Sequence, residues 1–71
     1  MTKANFRFTL YETITDLGTV YGFVCAGSDG SLYIVSDISS DIFFVIRIID
    51  LFNREQPKPV QAEYLLQDLL P

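Results

Sequence analysis

The chain reads as an α+β domain: a three-stranded antiparallel β-meander followed by two α-helices packed on one face of the sheet, in the order β-β-β-α-α. Three observations predict this class. Residues 5–14 alternate apolar and polar with the two-residue period of a half-buried strand. Two turn signals, Thr15-Asp16-Leu17-Gly18 and Ala26-Gly27-Ser28-Asp29-Gly30-Ser31, join successive strand-like segments by short loops. Parallel neighbours need a crossover of about a dozen residues or more, so these strands must be antiparallel. Beyond residue 40 the apolar spacing lengthens to that of a helix, and Pro59 stands where a second helix opens.

The elements follow in order. In the first strand Phe6, Phe8 and Leu10 point one way and Arg7, Thr9 and Tyr11 the other. The second, residues 19–26, is apolar on both faces, as a central strand is, and Gly22 in its interior predicts a bulge or a close backbone approach. The third, residues 31–37, sets Leu32 and Ile34 against Tyr33 and Val35. Ser39 or Ser40 is the expected N-cap of a helix over about 40–53, with Asp41 in its first turn, Ile38 stapled onto Phe43, and Asn53 at its end. Gln56-Pro57-Lys58-Pro59 is a stiff connector. A shorter helix over 60–70 then presents Ala62, Leu65, Leu66 and Leu69 on one face.

Residues 1–71 read as one small domain. At this length a single core supplies only about 3–5 kcal/mol, and such domains commonly lean on disulfides, metals or oligomerisation. Cys25 is the lone cysteine and there is no histidine, so oligomerisation is the support left open. Cys25 lies in an apolar strand and reads as a small buried hydrophobe in a reducing compartment. The longest apolar run, Ile42 to Ile46, falls far short of the roughly 20 residues of a membrane span. No secretory h-region follows Lys3, and a cytoplasmic location is expected. Five basic against nine acidic residues give a net charge of −4, and the basic ones are scattered, which argues against a nucleic-acid partner.

Tyr21-Gly22-Phe23 in the second strand, Asp37-Ile38-Ser39-Ser40-Asp41 leading into the helix, Asn53, Pro59 and Asp68-Leu69-Leu70 form a series of landmarks. Over about residues 8–70 the chain resembles a family of short Firmicutes proteins known as a domain of unknown function. The resemblance implies strands followed by helices and carries no activity or functional residue. The early first helix departs from the charged residues expected there in relatives, because it holds Ile42, Phe43 and Ile46.

Chemistry is constrained by what the sequence lacks. Asp37-x-Ser39-x-Asp41 opens like a calcium loop, but the sixth and twelfth positions are Ile42 and Ile48 where glycine and a bidentate acid are needed. Without histidine no Ser/His/Asp or Cys/His nucleophile can be built, and zinc would lack nitrogen ligands. A ligand pocket of about 300 Å³ hollowed from the core would cost roughly 7 kcal/mol at about 24 cal/mol per Å³, more than the core supplies. No catalytic residue, metal or cofactor is expected, and the protein reads as no enzyme. The alternative is a ligand sensor with its site at a subunit interface.

Two surfaces qualify for association. The apolar stripe of the first helix sweeps about 180°, wider than the stripe of somewhat more than 100° that one sheet needs. Either the C-terminal helix covers the excess, or Ile42, Phe43 and Ile46 form an exposed patch for a partner. If Phe6, Phe8, Leu10, Tyr21, Phe23 and Cys25 face the helices, the outer sheet face carries Arg7, Thr9, Tyr11, Val20, Val24, Tyr33 and Val35. Tyr11, Tyr33 and Val35 are its interface candidates, with simple cross-strand packing as the other reading. The expected partner is the chain itself, as a homodimer, or another protein.

Overall fold

The computed structural model describes residues 5–70. Strands β1 (Phe6–Thr15), β2 (Gly18–Gly27) and β3 (Leu32–Ser39) form one antiparallel sheet in the order β1-β2-β3, followed by helices α1 (Ile42–Glu55) and α2 (Pro59–Leu69). The α+β meander expected from periodicity is the fold of the chain.

β1 and β2 pair over ten residues without a register shift, from Phe6 opposite Gly27 to Thr15 opposite Gly18. Thr15 shapes the tight connection: its hydroxyl accepts from the Leu17 N–H at 3.2 Å and donates to the Gly18 carbonyl at 2.7 Å. The β2–β3 turn is held by the Asp29 carboxylate, which accepts from the Ser31 N–H and hydroxyl at 3.0 and 2.7 Å. Those bonds hold the Asp29 carboxyl below its ordinary value.

β2 and β3 are less regular. Tyr21 pairs with Ser39 and Phe23 with Val35, so the single residue Gly22 stands opposite three, Ser36, Asp37 and Ile38. The bulge folds the Val35–Ser36 backbone onto the space a Gly22 side chain would occupy, the close approach that a glycine inside a strand predicts. It also carries β3 two residues past its expected end, to Ser39.

The cap of α1 differs from expectation. Asp41 is the N-cap, its carboxylate accepting from the Phe43 and Phe44 N–H groups at 3.1 and 3.3 Å. The Ser39 hydroxyl instead accepts from the Asp41 N–H at 3.0 Å, because Ser39 is still paired in the sheet. The helix also continues past Asn53 to Glu55, where Gln56 takes the left-handed conformation (φ 55°) and its N–H bonds the Phe52 carbonyl at 2.8 Å.

Asn53 lies inside the helix, and its side chain makes a tertiary contact. Its amide oxygen accepts from the Phe8 N–H at 2.7 Å and its NH₂ donates to the Phe8 carbonyl at 2.8 Å. One helical turn on, Gln56 repeats the arrangement on Phe6, with both bonds at 2.7 Å. β1 is an edge strand, so the two amides take the place of a neighbouring strand's peptide groups. Asn53→Ala leaves both groups of Phe8 partly buried without partners and is expected to lower stability by about 2–3 kcal/mol. Urea unfolding measures it; a change below about 0.5 kcal/mol, the size of a neutral surface substitution, would show the clamp to be idle.

The core sits between α1 and the inner sheet face, with Phe8, Phe23, Cys25, Val45, Ile48, Ile49 and Phe52 buried. Phe8, Phe23 and Phe52 meet edge to face, with centroids 5.3, 5.4 and 5.7 Å apart. α2 adds only Ala62 and Leu66 to the core; Leu65 and Leu69, expected on its buried face, remain exposed.

Candidate interaction surface

The excess apolar surface of α1 lies on a definable side. At about 100° per residue, the buried Val45, Ile48, Ile49 and Phe52 mark the direction of the sheet. Phe44 and Leu51 lie on one flank, beside Leu69 and Leu70 of the C-terminal segment. Ile42 and Ile46 lie on the opposite flank. Ile46 precedes Asn53 by seven residues, which brings the two to within about 20° of each other around the axis. Since the Asn53 amide reaches the outer edge of β1, Ile46 is on the flank that overlooks that edge.

α2 therefore does not cover this flank. Phe43 is 72% exposed and Ile46 38%, while Ile42 is half-buried. Around the axis Ile42 and Ile46 lie about 40° apart, and Phe43 sits about 60° beyond Ile46, facing away from the sheet between Arg47 and Asp50.

The three sheet candidates separate. Tyr11 stands exposed on the outer face, opposite Gly22. Tyr33 and Val35 do not join it, which corrects the expected outer face. They pair with Cys25 and Phe23, and residues directly opposite in an antiparallel pair share a face, so both pack half-buried against the core. The outer face of β3 instead carries the exposed Leu32 and Ile34. The third strand is apolar on both sides, so its own alternation does not say which side turns inward.

Tyr33 is further anchored by donating a hydrogen bond from its hydroxyl to the Glu63 carboxylate of α2. That bond, first, and the carboxylate's charge hold the Tyr33 hydroxyl above its ordinary value. A raised folded-state value means that the contact's contribution to stability is full below the ordinary tyrosine value and is lost as pH rises through the higher folded-state one.

Nothing in the sheet offers an activated nucleophile. Burial pushes the Cys25 thiol above its ordinary value, keeping it protonated and unreactive. In mildly alkaline buffer a water-soluble disulfide reagent is expected to leave folded Cys25 unmodified and to react promptly once guanidinium unfolds the chain. Rapid reaction of the native protein would contradict the burial. The same raised value means that stability is undiminished below the unfolded thiol's titration and falls as pH climbs toward the folded one.

Among the described residues no group of His, Cys, Asp and Glu could hold a metal ion, and no helix is long and apolar enough to cross a membrane. Ser39 and Asp41 of the calcium-like stretch are occupied in the helix cap. The amide clamp on β1 had no signal in the sequence, because Asn53 and Gln56 are ordinary residues for the end of a helix. No family model, no curated protein and no solved structure matches this chain.

Proposed function

We propose that the chain is a small non-enzymatic protein-interaction module, acting as an adaptor or regulatory subunit, whose partner covers the α1 flank formed by Ile42, Phe43 and Ile46. The observation that carries this reading is the 72% exposure of Phe43, three residues before the exposed Ile46, on the side of α1 turned away from the sheet. Fully burying one such side chain is worth about 1.5–3 kcal/mol, comparable with the whole stability expected of a domain this size. A second copy of the chain is the first partner to test, because homodimerisation needs nothing else present.

Sedimentation at micromolar concentration is expected to give a dimer, and Phe43→Glu a folded monomer. The substitution places a charge on a surface that is already wet in the monomer, so stability should change by no more than about 0.5 kcal/mol. A parent protein that stays monomeric directs the reading to another protein as partner. A dimer unmoved by Phe43→Glu would remove this flank from the interface.

A further inference from the structure

We propose that the open half of the β1 edge, Leu10 to Ile14, is a docking site for an extended segment of another protein that carries a basic residue between two apolar ones. The proposal rests on the interaction-module reading and names the chemistry of the partner.

The edge is closed over only half its length. Asn53 and Gln56 hold the N–H and C=O groups of Phe8 and Phe6, so the backbone of those residues points away from β2. Pairing with β2 continues unbroken to Thr15, and by the same alternation the backbone groups of Leu10, Glu12 and Ile14 also point away from it. No side chain or turn among the described residues meets them. The other edge is shorter: the bulge over Gly22 breaks the register of β3 after Val35, leaving only Leu32 to Val35 in regular pairing, and bulges protect against strand pairing. β1 thus offers a regular run of unpaired donors and acceptors, ended at Phe8 by the Asn53 amide.

The flanking side chains specify what fits. Leu10, Glu12 and Ile14 share the inner face of β1, and Ile14 is 84% exposed. Ile46, on the α1 flank overlooking the same edge, lies about 10 Å up the helix from Asn53, where the clamp ends and the open edge begins. An added strand would set alternate side chains opposite Leu10, Glu12 and Ile14 and beside Ile46, so the complementary sequence is apolar, basic, apolar. A second copy is disfavoured here. The two-fold pairing that aligns the open halves sets the Glu12 carboxylates of the two copies face to face, and directly opposed like charges destabilise a strand pair.

The test uses the full chain and the peptide acetyl-Thr-Val-Thr-Lys-Thr-Val-Thr-amide, followed by amide NMR. Saturable shifts concentrated at residues 10–15 and around Ile46 are expected, with a peptide bearing glutamate in place of lysine binding about tenfold more weakly. Glu12→Lys should reverse that order. Glu12→Pro, which removes an N–H facing only the open edge, should abolish binding; if it fails to fold, Glu12→Lys alone decides. No saturable shift, shifts confined to other surfaces, or equal binding of the two peptides would overturn the proposal. Sedimentation of Phe43→Glu is read separately. A Phe43-dependent dimer that ignores both peptides leaves the module reading standing and ends strand docking.

Discussion

Gly22→Ala is expected to leave the chain without a cooperative unfolding transition at room temperature. A Cβ at this position would stand within the van der Waals sphere of the Val35 carbonyl oxygen, 2.8 Å from the Val35 carbonyl carbon and 3.0 Å from that of Ser36. All three are backbone atoms, so no side-chain rotation makes room, and β3 must move away from β2. Ordinary overpacking costs about 1–3 kcal/mol, and each ladder hydrogen bond lost between β2 and β3 adds about 1 kcal/mol. The sum reaches the roughly 3–5 kcal/mol available to a core of this size. Gly18→Ala is the control. Gly18 has φ 127° but open space around its Cβ position, so only conformational strain is felt, about 1–2 kcal/mol. Thermal melts followed by circular dichroism compare the two. A Gly22→Ala melt within a few degrees of the parent would show that the bulge can relax.

Phe52→Ala is expected to have the second largest effect, about 3–5 kcal/mol, because truncating a buried aromatic loses its transfer energy and leaves a cavity. Phe52 is buried from α1 at the point where Phe8 of β1 and Phe23 of β2 converge, edge to face. Removing its ring strips both strands of their shared contact with the helix. Phe52→Leu keeps much of the volume and should cost roughly 1–2 kcal/mol, leaving a folded protein. Urea unfolding of both variants separates lost volume from lost ring. Equal losses for alanine and leucine would mean that the aromatic geometry, not packing, sets the stability.

Much of the fold was legible because its signals are local. The alternation of Phe6, Phe8 and Leu10 marked β1, and the Asp29-Gly30 turn marked the meander. The isolated Gly22 announced a close approach, which the β3 backbone makes. The candidate surface was legible in part. The width of the α1 stripe predicted surplus apolar area, and Phe43 and Ile46 are exposed. The inward side of β3 was not legible, since Leu32, Tyr33, Ile34 and Val35 are apolar in both phases and only pairing with β2 selects one.

The amino-acid sequence by itself determined the order of elements, the antiparallel connectivity and the absence of histidine-based chemistry. Periodicity, turn preference and residue inventory are properties of a few neighbouring residues or of the whole list. Tertiary structure alone decided that Tyr33 and Val35 turn inward, that the end of α2 lies beside the Phe44 and Leu51 flank of α1, and that Asn53 and Gln56 close half of the β1 edge. Each of these is a choice between partners far apart in the chain. It is settled by which packing buries the most apolar surface while leaving the fewest backbone groups unpaired.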